Sequence, residues 1–244
     1  MKTNEHPQPQ KINDTFPLPE GDVIPSICEQ CGEPFDAMVL FGTPFPFCDD
    51  CNSQRLKRWE EKQIEEKRKS AKIAFERICP LIYRETRTDH PEFPRRKDEQ
   101  AQQWQPGPKG LVLFGPTRKG KSRVLWRLIQ RLMTEDLLEV LTFRAGQLEG
   151  ALFEAYRTRN LGDFQERFQS APVVSIDDFG KEKFTDRFQA FIFQAFNDRF
   201  EARKPILLTT NFEGDDLHRR FEDQTQGEPF VARLREFCDA IYFK

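Results

Sequence analysis

The stretch Gly115-Pro116-Thr117-Arg118-Lys119-Gly120-Lys121-Ser122 meets the pattern G-x-x-x-x-G-K-[ST] at every fixed position and directly follows the apolar run Leu111-Val112-Leu113-Phe114. A phosphate-binding loop of this kind works as a turn between a buried strand and the first turn of a helix, so it fixes the local fold around it. Glycines let backbone N–H groups curl around the β- and γ-phosphates of a nucleotide, Lys121 adds a point charge there, and the Ser122 hydroxyl can coordinate Mg²⁺. Gly115 to Ser122 are therefore the candidate nucleotide-binding residues.

From Leu111 onward, strand-like runs alternate with helical ones. Strands are expected at 111–114, 138–143, 172–176 and 205–210, with helices over about 120–134, through about 156, and over about 185–202. That alternation predicts an α/β domain with a parallel sheet flanked by helices, in which ligands bind beyond the carboxyl ends of the strands. Val173-Val174-Ser175-Ile176 delivers two adjacent acids to that edge. Asp177 can hold Mg²⁺, and Asp178 can orient and polarise the water that attacks the γ-phosphate. Asn211, after Thr209-Thr210, can hydrogen-bond the γ-phosphate or that water. Asp and Asn are also ordinary turn and cap residues, and it is the upstream phosphate loop that makes these three candidates for chemistry.

Four of the six cysteines form Cys28-x-x-Cys31 and Cys48-x-x-Cys51, with 16 residues between the pairs. This is zinc-ribbon spacing: each C-x-x-C fits a knuckle that presents two thiolates to one tetrahedral ion. The intervening Gly32, Pro34, Gly42, Pro44 and Pro46 suit a short hairpin or loop. Two disulfides would need an oxidising compartment, and a thioredoxin-type motif would occur once. Four thiolates close the coordination shell, so Zn²⁺ is expected to fold the module. Cys79 and Cys238 read as ordinary buried cysteines.

With 244 residues, 32% charged and 37% apolar, the chain has room for one full-sized domain and a small module. No apolar run approaches the roughly 20 residues that span a bilayer, and the N-terminus lacks a signal-peptide pattern, so no membrane partner and a cytoplasmic location are expected. A net charge of -2 leaves nucleic-acid contact to local patches. The 24 phenylalanines imply either an aromatic core or a hydrophobic partner surface. Residues 1–25 are polar and proline-punctuated and are expected to be a flexible tail. The zinc module is expected over 26–54, a connecting helix over 55–78, and the nucleotide-binding domain over 79–244, entered through a proline-rich, loop-rich stretch that ends near residue 110. The helix carries an excess of Lys and Arg over residues 55–72, which suits either a solvated face or DNA.

In the order of its motifs, the segment from Ile78 to Phe243 resembles the AAA+ ATPases of the bacterial helicase-loader type (DnaC/DnaI-like) and the related IstB-type transposition helpers. FGPTRKGKSR is similar to their Walker A, VVSIDDFG to their Walker B, and LLTTNF to their sensor 1. ICPLIYRET is similar to the segment they place near the adenine. The resemblance implies a P-loop NTPase core of the AAA+/ASCE type, with ATP and Mg²⁺ as cofactors. It also implies an arginine finger within Phe230–Phe237, where Arg233 is the best match and Arg235 the substitute. Such a guanidinium acts on a neighbouring subunit's γ-phosphate, so an ATP-dependent homo-oligomer is implied. Arg219 and Arg220 are expected to face solvent. Arg118 and Lys119 depart from the family, which commonly has small residues there. No arginine stands where sensor 2 would be, so lid closure is not expected.

The function this implies is ATP-dependent loading of a replicative helicase onto single-stranded DNA, with the zinc module gripping the helicase. A transposase helper of the same clade is the nearest alternative. A non-hydrolysing, ATP-switched zinc adaptor is a third.

Overall fold

The computed structural model describes residues 23–40, 42–181, 184–221 and 224–244. Most of the expected tail, residues 1–22, lies outside the described residues. Val23–Pro25, read as its end, are instead paired in a strand. The chain divides into two compact units, with the boundary between Glu65 and Glu66.

In the first unit, β1 (Val23–Ile27) and β2 (Pro34–Leu40) pair antiparallel, from Val23 opposite Met38 to Ile27 opposite Pro34, and β3 (Thr43–Pro44) pairs with the far end of β2. Helix α1 (Asp49–Ile78) starts earlier than its sequence suggested, with Asp49 and Asp50 in the first turn, where the helix dipole favours negative charge. That early start puts Cys51 on the helix itself.

The second unit opens with the last turns of α1, then α2 (Leu81–Arg84) and α3 (Arg95–Gln102), so the stretch read as loop carries two short helices. There follow β4 (Gly110–Phe114), α4 (Lys121–Thr134), β5 (Val140–Arg144), α5 (Ala145–Arg157), α6 (Leu161–Ser170), β6 (Val173–Phe179) and α7 (Asp186–Glu201). The chain ends with β7 (Ile206–Thr210), α8 (Gly214–His218), α9 (Gln224–Phe237) and β8 (Cys238–Tyr242). Helix α6 was not expected. Its Leu161, Phe164 and Phe168 stand at i, i+3 and i+7 and pack on the core, a short helical stripe that the sequence does carry.

The five strands form one sheet in the order β5-β6-β7-β4-β8, every neighbouring pair parallel. Helices cover both faces, which is why β4 and β7 read as continuous apolar runs. Alternation along β4 divides the core in two: Leu111 and Leu113 face Val124, Leu125 and Leu128 of α4, while Val112 packs with the phenylalanine-rich layer of α7 and α9. Among the described residues the phenylalanines are chiefly core: Phe168, Phe179, Phe188, Phe196, Phe221 and Phe230 are fully buried, and Phe153 is the large exposed exception. Their rings meet edge-on or tilted, as Phe184 and Phe221 do at 4.9 Å. No helix of the described residues is long and apolar enough to cross a membrane.

One cation is sealed into this core. Arg199 is 0% exposed, and its guanidinium donates to the carbonyls of Phe168 (2.7 Å), Ala171 (3.0 Å) and Pro205 (2.9 Å). It thereby ties the end of α6 to the starts of β6 and β7. Burial pulls its pKa down to about 10, which leaves it charged at neutral pH. Arg199→Met should strand these carbonyls and lower stability by about 3 kcal/mol, read as a drop in the urea unfolding midpoint.

Candidate functional site

The parallel arrangement brings the carboxyl ends of β4, β6 and β7 to one edge of the sheet, and the phosphate loop leaves β4 there. Both fixed glycines adopt positive φ, 130° at Gly115 and 87° at Gly120. A side chain at Gly115 would run into the Phe243 carbonyl, and a Cβ at Gly120 would sit 2.9 Å from the Pro94 ring. Arg118 also takes positive φ (62°), a conformation that glycine adopts without strain. Lys121 is 5% exposed, and its ammonium donates to the Gly115 and Pro116 carbonyls (both 2.7 Å) and to Asn211 Oδ1 (2.8 Å). Burial pulls its pKa down, and the charges of Asp178 and Asp177 oppose the fall.

Asp177 is 1% exposed and fully engaged. Its Oδ1 accepts from Ser122 Oγ (2.7 Å) and Thr209 Oγ1 (2.6 Å), and its Oδ2 from Trp126 Nε1 (3.3 Å). Asp178 is turned the other way by a positive φ of 64°. Its backbone N–H donates to Thr209 Oγ1 (2.7 Å), and its carboxylate pairs with Lys181 at 2.9 Å. The residues quoted from three separate motifs thus converge: Ser122 on Asp177, Asn211 on Lys121, and Asp178 facing outward beside them. A cleft of about 620 Å³ opens over this edge, lined by the loop from Thr117 to Arg123, by Asp178, Lys181 and Asn211, and by the segment from Ile82 to Pro94. Arg123 holds that segment in place by donating to the Ile82 carbonyl at 2.8 Å.

Three residues of the site carried no role in the sequence: Thr209, which bridges both acids; Trp126, whose indole stacks near Tyr83 (6.1 Å, 17°) while donating to Asp177; and Lys181. Thr209 stood inside the quoted T-T-N run, but its partner lies on another strand. Arg233 is not among the residues lining the cleft of its own chain, and its guanidinium lies 6.0 Å over the Phe193 ring. Arg235 is exposed, 3.8 Å from Asp215. Arg219, expected to face solvent, is exposed and pairs with Asp216. Arg220 is also exposed, yet its Nε donates to the Gly180 carbonyl.

In the first unit the four cysteines of the two knuckles form a second centre. The sulfurs of Cys28, Cys31, Cys48 and Cys51 all lie within 4.8 Å of one another, and those of Cys31 and Cys48 are 3.8 Å apart. A tetrahedron with metal–sulfur bonds of about 2.3 Å has edges of about 3.8 Å, so the set fits Zn²⁺. Local backbone makes the first knuckle: Gly32, at φ 77°, donates to the Cys28 carbonyl, and Cys28 N–H donates to Glu33, both at 2.9 Å. Burial pushes the Cys28 thiol up, but backbone hydrogen bonds from Cys31, Cys48 and Gln30 outweigh it and bring the pKa to about 6. Burial and the neighbouring cysteines push Cys51 up to about 12, and Cys31 is raised too, its backbone hydrogen bond at Glu33 being outweighed, so a zinc ion, which takes thiolates, would displace protons from those two. Cys79 and Cys238, both in the second unit, are buried, as expected.

No protein-family model matches the sequence. Among solved structures, the DnaC helicase loader superposes with a TM-score of 0.57 at 20% identity, covering 68% of this chain and 100% of that one. The replication initiator DnaA bound to AMPPCP and single-stranded DNA gives 0.51 at 17% identity, covering 61% of this chain and 44% of that one. The fold is that of AAA+ P-loop domains. In sequence, a protein of a Mycobacterium tuberculosis insertion sequence, named for ATP binding, is 22% identical over 149 residues. The match spans 60% of this chain and 59% of that relative.

Two outcomes follow from the geometry. Thr209→Val, which keeps the shape and removes the hydroxyl shared by Asp177 and the Asp178 amide, should cost about 1–3 kcal/mol in thermal unfolding. Elemental analysis should find about one zinc per chain, lost in a Cys28→Ser/Cys51→Ser double variant.

Proposed function

We propose that this chain is an ATPase that loads a replicative helicase onto single-stranded DNA. The observation that carries the reading is the joining of two centres: a phosphate loop with its acids and Asn assembled on the edge of an AAA+ sheet, and a four-cysteine zinc site in a separate unit. The loop N–H groups and Lys121 take the β- and γ-phosphates of ATP. Ser122 and Asp177, already hydrogen-bonded to each other, would hold Mg²⁺, which supplies charge neutralisation for the phosphates. Asp178 faces the cleft and orients the attacking water, and Asn211 exchanges Lys121 for the γ-phosphate or that water. Arg233 of a second copy completes the site in trans, so turnover depends on assembly. The likeness to the DnaC helicase loader and to DnaA bound to single-stranded DNA supports a client helicase and a DNA strand as partners. In this reading residues 26–54 are the client-binding zinc module, 55–78 the connecting helix and 79–244 the ATPase domain.

The insertion-sequence relative supports a second reading, a helper of a transposase. Affinity co-purification from the source cell separates the two: a replicative helicase supports loading, and a transposase in its place overturns it. Asp178→Asn should lower ATP turnover by about 100-fold or more while ATP still binds. Arg233→Ala should abolish the rise of specific activity with protein concentration. A wild-type chain that binds ATP without turnover would mean an ATP-switched adaptor.

A further inference from the structure

The phosphate-loop, acidic and Asn motifs leave Lys181 without a role, yet it stands at the mouth of the site. Positive φ at Asp178 (64°) and at Gly180 (95°) folds the chain back at the end of β6 and sets Lys181 Nζ 2.9 Å from Asp178 Oδ1. Both side chains line the cleft together with Lys121 and Asn211. The turn that carries Lys181 is braced from two sides. Arg220 Nε donates to the Gly180 carbonyl at 2.9 Å, and Gly180 is packed so closely on the Phe212 ring that a Cβ would lie 2.7 Å from it. Phe212 follows Asn211 directly, so the base of the turn and the end of β7 are held in register.

Two features make Lys181 more than a surface charge. It lines the same cleft as Lys121, so two cations border one volume. That arrangement suits a polyanion between them. Its partner is also easily displaced: the side chains of Lys181 and Asp178 are 47% and 36% exposed, and solvent-screened pairs hold weakly. A terminal phosphate offers more charge and more acceptor oxygens than one carboxylate, and the lysine stem is flexible enough to change partners.

We propose that Lys181 reads the terminal phosphate: it leaves Asp178 for the γ-phosphate when a nucleoside triphosphate occupies the cleft, and so frees Asp178 to orient water. The proposal rests on the ATPase reading and adds to it a specificity-determining cation supplied within the chain. A diphosphate offers no third phosphate, so Lys181 stays on Asp178.

The test is titration of the full-length chain with Mg²⁺ and either ADP or a non-hydrolysable ATP analogue. Lys181→Gln should weaken the analogue by about tenfold and leave ADP within about twofold, whereas Lys181→Arg should keep the wild-type preference. An unchanged analogue-to-ADP ratio in Lys181→Gln overturns the proposal, as does equal weakening of both nucleotides. A wild-type chain that binds neither overturns the ATPase reading itself, whereas wild-type binding of both with an unaltered Lys181→Gln overturns this proposal alone.

Discussion

A buried carboxylate organises this protein. Asp177 sits almost out of solvent at the end of β6, where an ionised group is costly unless its oxygens are occupied. Three side chains occupy them: Ser122 and Trp126 from α4, and Thr209 from β7. These donors can reach one acid only because β7 lies between β4 and β6, so that the helix after β4 and the end of β7 both border the same strand end. The order of strands is therefore a condition for the chemistry of the edge.

The neighbouring acid shows how one residue of backbone separates two roles. Asp177 points into the protein and is consumed by hydrogen bonds, while the left-handed conformation of Asp178 turns its carboxylate to the cleft, where it meets Lys181. Opposite them Lys121 is folded onto its own loop and Asn211. Lys121 and Lys181 thus each have a partner that a phosphate could replace, which makes them exchangeable pairs on a rigid base. The base owes its rigidity to the apolar layers beneath it and to Arg199, which locks the opposite ends of β6 and β7.

Much of this was legible along the chain because each motif sits at the end of an apolar run, and a parallel sheet puts all such ends on one edge. The phosphate loop, the acids, Asn211 and the cysteine pairs could be named for that reason. The misses have a common cause. Strand β1 was hidden in a polar, proline-marked stretch whose pairing partner lies beyond a turn. Trp126, Thr209 and Lys181 belong to the site through partners on other elements or through a positive φ, and neither leaves a periodic trace. The phenylalanine excess, open between core and partner surface, resolves chiefly to core once the helices are laid on the sheet.

The sequence by itself determined the loop that can cradle phosphates, the four thiols at metal-binding spacing and the alternation that demands a parallel sheet, since these depend on residue type and local spacing. Tertiary structure alone decided which acid is buried and which faces the cleft, that Thr209 serves both, and that Lys181 stands beside Lys121. The first turns on a positive φ that no residue type announces, and the others join strand ends distant in the chain, which only the packing order of the sheet brings to one edge.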